Sequence, residues 1–175
     1  MMRHILAGLL VAIVMATSAV AGPLEDATAA DERGDYATAF KLLTTLAEQG
    51  DALAQVRLGV MYREGRHVLR DPATDPSLPV DPGVPQDPVE AMKWFQRSAE
   101  RGNAPAQLFV GMAYEYGSDG LPEDVVLAYM WLSVAAAQGY QDAAQMRDLF
   151  APGMKPDEIA EAERRAREWK PKSGP

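Results

Sequence analysis

The side chains of this sequence that could carry chemistry are few. Histidine occurs only at His4 and His67, and cysteine is absent. Acid–base catalysis near neutral pH draws most often on histidine. Thiol nucleophiles, thiolate metal sites, disulfides and a lipoprotein anchor all need cysteine. His67 stands near Asp71, Asp75, Asp81 and Asp87. One imidazole and scattered carboxylates could hold a metal ion, but their spacing matches no ligand loop such as the EF-hand, so no metal or cofactor is expected. The serines Ser77, Ser98, Ser118, Ser133 and Ser173 lie in neither G-x-S-x-G nor S-x-x-K, the contexts that expose or activate a serine nucleophile. Glu115 with Asp119, on the turn Gly117-Ser118-Asp119-Gly120, is the carboxylate pair best placed for hydrolysis. A charged helix end followed by a turn accounts for the same residues. The side-chain chemistry therefore points to binding rather than catalysis.

The elements that must position these residues occupy 175 positions, enough for one domain. Apolar residues make up 47% and charged residues 24%, a globular composition. The net charge of −8 argues against a general nucleic-acid binder, because phosphate contacts rely on excess Lys and Arg. Arg3 precedes an apolar run, Ile5 to Ala16, and Ala19-Val20-Ala21 follows. A basic start, a short apolar stretch and an A-x-A site form the pattern of a secretory signal peptide. The run is shorter than the roughly 20 residues of a membrane span, although an uncleaved N-terminal anchor is the alternative. Cleavage after Ala21 leaves a domain at 22–175 that is periplasmic or secreted and not stably inserted in a membrane. It removes Arg3 and no acid, so 16 bases then stand against 25 acids and the net charge becomes −9. An exported domain without disulfides has to be held by packing alone.

A repeat organises that domain. Asp35-x₃-Ala39-x₇-Ala47-x₂-Gly50, Asp87-x₃-Ala91-x₇-Ala99-x₂-Gly102 and Asp124-x₃-Ala128-x₇-Ala136-x₂-Gly139 align without gaps. The large residue three after the first alanine is Leu42, Trp94 or Trp131. Aspartate suits a helix N-cap, and Asp87 with Glu90 has the spacing of a capping box. Glycine suits the left-handed residue that ends a helix. Small alanines permit close approach of a neighbour. These segments are B helices. A second pattern follows the glycines: Ala54-Gln55-x₂-Leu58-Gly59-x₂-Tyr62-x₂-Gly65 and Ala106-Gln107-x₂-Val110-Gly111-x₂-Tyr114-x₂-Gly117. These are A helices, with Ala, Leu or Val, and Tyr on one face. Glycine inside a helix costs about 1 kcal/mol relative to alanine, so Gly59 and Gly111 predict tight contact with another backbone or side chain. A degenerate A helix spans 141–150, and flanking helices are expected from Leu24 to Arg33 and from Asp157 to Trp169. The last carries mixed charge that forms a solvated face. The total is eight helices in four antiparallel pairs.

The spacing breaks once. Gly50 to Gly102 is 52 residues and Gly102 to Gly139 is 37, so 15 residues are inserted between an A and a B helix, at about 66–82. Pro76, Pro79, Pro82, Pro85 and Pro88 recur every third residue there, the period of polyproline II. This strap is expected as a stiff loop, with a ligand for an aromatic groove as the alternative.

From Gly83 through Gly117, and again from Gly120 to Gly139, the sequence resembles the Sel-1-like repeat, a relative of the tetratricopeptide repeat. It departs in the insertion, in Leu42 where an aromatic is usual, and in Val110 where leucine is usual. The resemblance implies an all-α, right-handed α-solenoid. It also implies a non-enzymatic scaffold or adaptor for another protein, as in bacterial envelope and secretion factors. Some cysteine-rich members of the wider family are linked to β-lactamase-like activity. A periplasmic hydrolase of cell-wall or β-lactam substrates is thus the alternative, and the lack of cysteine counts against it. Stacked helix pairs share a core and create a concave surface. The A-helix face opposite the repeated Ala, Leu or Val, and Tyr carries Val56, Val60, Arg63, Leu108, Met112 and Glu115. These six are the candidate groove for a peptide or helix, unless neighbouring helices cover the apolar four.

Overall fold

The computed structural model describes residues 22–65 and 83–172. The leader expected at 1–21 and the strap expected at 66–82 lie outside them, as do His67, Asp71, Asp75 and Asp81. The described residues form eight α-helices and no strand. They are α1 (Pro23–Glu32), α2 (Tyr36–Glu48), α3 (Ala52–Glu64), α4 (Pro88–Glu100), α5 (Ala104–Tyr116), α6 (Val125–Ala137), α7 (Gln141–Phe150) and α8 (Pro156–Glu168). One 3₁₀ turn, Ala151–Gly153, joins the last two. None is long and apolar enough to cross a membrane.

The repeated polar residues start these helices. The Thr38 N–H donates to Asp35 at 3.2 Å, the Glu90 N–H to Asp87 at 2.9 Å and the Leu127 N–H to Asp124 at 2.9 Å. Asp51 and Asn103 cap the A helices α3 and α5 in the same way, at 2.8 and 3.0 Å. The reciprocal half of a capping box is not made at Asp87: its N–H donates to the Tyr62 carbonyl at 2.8 Å, and the Glu90 carboxylate pairs with Lys93 at 2.7 Å. Glu158 does reach back in α8, where its carboxylate accepts from the Lys155 N–H at 2.8 Å. The repeated glycines end the B helices. Gly50, Gly102 and Gly139 have φ of +95°, +96° and +85°. Each is followed by an N–H that bonds back five residues, Asp51 to Leu46, Asn103 to Ser98 and Tyr140 to Ala135. This is the Schellman closure.

Each helix from α1 to α6 packs on the next. Of the alanines of the B-helix pattern, Ala39, Ala47, Ala91, Ala99 and Ala128 are at most 1% exposed, while Ala136 is half-buried. The mid-helix glycines have the expected cause. A Cβ on Gly59 would stand 2.7 Å from the Phe95 ring, and one on Gly111 2.9 Å from Leu132. Phe95 and Leu132 hold equivalent places, so one contact recurs in successive repeats. The result is the expected all-α, right-handed solenoid.

The last helix breaks the pairing. Instead of closing a fourth antiparallel pair with α7, α8 packs chiefly on α6. The composition of α6, Val-Val-Leu-Ala-Tyr-Met-Trp-Leu-Ser-Val-Ala-Ala-Ala, explains this. A helix apolar all round needs cover on every side. α5 supplies one side, and Ile159, Ala162 and Ala166 of α8 cover Tyr129 and Met130 on another. The chain then returns along the solenoid. Trp169 meets Trp131 edge-on at 5.8 Å, and the Lys172 N–H donates to the Glu100 carbonyl at 2.8 Å.

Candidate functional site

The six candidate groove residues do not share one open face. Val56 and Leu108 are each 9% exposed and belong to packed clusters. Val56 sits with Ala91, Met92 and Phe95 of α4, and Leu108 with Leu132, Ala135 and Ala143. Neighbouring helices thus cover these two, the arrangement a 3.6-residue period cannot distinguish from an open face. Val60 is half-buried and, with Val56, lines a cavity of about 210 Å³ bounded also by Asp31, Leu43, Arg57 and Met61. Arg63 and Met112 come together in a different place.

That place is a cavity of about 150 Å³ where α3, α4 and α5 meet. Met92, Phe95, Phe109, Met112, Ala113 and Tyr116 supply an apolar lining, and Arg63, Ser118 and Asp119 supply the polar edge. Phe95 and Phe109 stack with ring centroids 4.6 Å apart. The Arg63 guanidinium carbon lies 4.4 Å from the Phe109 centroid, which continues the stack. Such cation–π contact fixes a long side chain and leaves its apolar stem as a wall. Tyr116 is 63% exposed and touches Phe150 of α7 edge-on at 6.0 Å. An apolar cavity of about this size can admit one aromatic ring.

Glu115 takes a separate path. It occupies the repeat position of Arg63, but it does not line the cavity that Asp119 lines. Its carboxyl is held above the usual range, first by burial and then by the charge of Glu123. One of its oxygens is buried without a hydrogen-bond partner. The carboxylates of Glu115 and Asp119, the pair that the hydrolytic alternative would use, therefore do not line a common cavity. Among the described residues no cluster of three or more His, Asp or Glu side chains could hold a metal ion.

Sequence reasoning missed Phe95, Phe109, Met92 and Tyr116 as lining residues. Phe109 follows Leu108 and replaces Arg57 of the preceding repeat, a departure visible in the alignment. It also missed the structural role of the Gln in Ala-Gln. Gln55 donates to the Ala47 carbonyl at 2.9 Å and Gln107 to the Ala99 carbonyl at 3.1 Å, so each buried amide ties an A helix to the preceding B helix.

Four segments of the chain, 30–51, 52–74, 81–103 and 104–140, match the model of the Sel1 repeat. This chain belongs to the Sel1 repeat family. Sel1 repeat proteins are in general protein-interaction scaffolds, and catalysis is not typical of them. Among solved structures, a Sel1 repeat protein from Oxalobacter formigenes is 30% identical, with a TM-score of 0.58 over 73% of this chain and 33% of that one. A protective antigen of uropathogenic Escherichia coli with the same fold is 23% identical, with a TM-score of 0.65 over 82% of this chain and 30% of that one. Among curated proteins, chitin synthase regulatory factor 4 of Schizosaccharomyces pombe is 32% identical over 62% of this chain and 15% of its own length. An F-box protein of Arabidopsis thaliana is 31% identical over 49% of this chain and 19% of its own length. The Sel1 chain described above thus spans less than a fifth of the curated relatives and about a third of the structural ones. In Sel1 terms, the cavity under Arg63 lies between consecutive A helices, with a B helix as its floor.

Proposed function

We propose that this chain is a non-enzymatic scaffold or adaptor of the bacterial cell envelope, exported after cleavage near Ala21, that binds a peptide or helix of another protein. The cavity beneath Arg63 is the observation that carries this reading. It is apolar, it opens at an exposed tyrosine, and its walls are stacked rings on a backbone of packed helices. A rigid apolar pocket with a few polar edge groups suits one inserted side chain of a partner. Arg3, the apolar run and Ala19-Val20-Ala21 support export.

A photo-crosslinking amino acid tests the surface in living cells. Placed at Tyr116 it should trap a discrete protein adduct, and placed at the exposed Lys41 of α2 it should not. Equal adducts at both positions, or none at Tyr116, would contradict the assignment. The mass of the exported protein tests the leader, since a chain that begins at Gly22 is expected.

A further inference from the structure

On the side of α5 and the turn that follows it, the groove proposed above is bordered by acidic residues, and this feature specifies the chemistry of its occupant. Between Arg101 and Arg147 the chain contains no lysine or arginine. It does contain Glu115, Asp119, Glu123, Asp124 and Asp142. Asp124 spends its charge on the N-terminus of α6. Asp119 lines the cavity, and Glu123 lies against the end of α5, where its backbone nitrogen would be 3.1 Å from a Cβ on Gly117. Glu123 adds negative charge beside Glu115, and α5 carries no cation to offset it. The carbonyl ends of two A helices add to the field. α3 ends at Glu64 and α5 at Tyr116, next to the cavity, and helix C-termini carry partial negative charge. Arg63 is the single base among the lining residues, and it is committed to the faces of Phe109 and Phe95, at 4.4 and 5.9 Å.

The surface is thus apolar at its centre, and with Arg63 held on the rings its remaining edge charge, along the turn after α5, is acidic. We propose that the groove at Arg63, Phe109 and Met112 takes a cationic segment of a partner protein, with an apolar or aromatic side chain in the cavity and Lys or Arg beside Asp119 and Glu123. This inference rests on the groove being the binding surface. A cation beside the half-buried Asp119 and the exposed Glu123 gains specificity and association rate rather than deep affinity, and salt should weaken it.

The test uses a random peptide library displayed on phage and panned on the folded chain at low ionic strength. Enriched peptides should place Lys or Arg on either side of an apolar or aromatic residue. Synthetic copies should lose about tenfold in affinity on Asp119→Asn with Glu123→Gln, equivalent to about 1.4 kcal/mol, and should weaken as salt rises. Asn is chosen at position 119 because Asp119 has φ +54° and Asn tolerates that conformation. The salt dependence is measured on the wild type, so it holds even where a variant fails to fold. Enriched peptides that are neutral or acidic, or that ignore both salt and the double substitution, overturn the charge inference while Met112→Asp still weakens them. Peptides that bind a folded Met112→Asp as well as wild type, or no enrichment at all, overturn the groove itself and the inference with it.

Discussion

At the scale of single residues, one glycine and one carboxylate make the sharpest claims. Alanine at position 111 would gain about 1 kcal/mol of helix propensity. Its Cβ would also stand 2.9 Å from Leu132 and 3.2 Å from the Ala128 carbonyl oxygen. Overpacking of this kind costs about 1–3 kcal/mol, and a backbone oxygen has no rotamer to yield. Gly111→Ala should therefore lower stability by up to about 2 kcal/mol in a urea titration, and a neutral or stabilising result would place the helices farther apart than described here. Glu115 has the opposite character. Burial and Glu123 raise its carboxyl above 4.5, so the charged form is disfavoured in the fold. A raised carboxyl makes the native state bind the proton more readily than the unfolded chain, so stability falls as pH rises through that folded value. Glu115→Gln should be more stable than wild type at neutral pH, and the gain should vanish as pH falls below 4.5. Thermal melts across that range read it directly.

At the scale of elements, caps and the terminal helix can be separated. Asp124→Ala removes the acceptor for the Leu127 N–H and should cost about 1 kcal/mol. α8 is held by a narrow stripe, Ile159, Ala162 and Ala166, and by Trp169 against Trp131. Trp169→Ala should raise amide exchange in α8 before it does so in α2 or α3, because the ring packs on Trp131 of α6. Uniform loss of protection would show that the end helix is not a separate unit. Glu161 has its carboxyl lowered to about 2 by hydrogen bonds from Arg164 and Arg165. A lowered carboxyl stabilises above its unfolded value and loses that contribution as pH falls toward 2. These pairs are exposed, so acid should fray α8 locally rather than unfold the molecule. The helices themselves were legible in the sequence because Asp, Ala and Gly each hold a fixed place with a fixed job. Asp35, Asp87 and Asp124 cap, and Gly50, Gly102 and Gly139 terminate. The position of α8 was not legible, since a stripe of one isoleucine and two alanines does not name its partner. The groove was legible in part. Periodicity set Val56 and Leu108 on one face with Val60 and Met112, but only the packing of α4 and α6 shows that the first two are covered. Arg63 and Glu115 hold equivalent places and yet differ, because Phe109 offers one of them a ring and Glu123 confronts the other.

At the scale of the whole molecule, the chain is a short Sel1 array whose stability comes from successive helix contacts and not from disulfides. Rigidity of this kind costs a binding surface little on association. The array carries no base between Arg101 and Arg147, and the cavity beneath Arg63 borders that acidic stretch. Electrostatic steering from such a field should make association with a cationic partner faster at low salt, with dissociation less affected. The central claim is that this cavity, and no other face, holds the partner. The direct measurement is a calorimetric titration of the partner trapped at Tyr116 into the wild type and into Met112→Asp, with thermal melts of both. The account predicts affinity at least about tenfold weaker for a variant that still melts cooperatively. Equal affinity for the two folded proteins would contradict it.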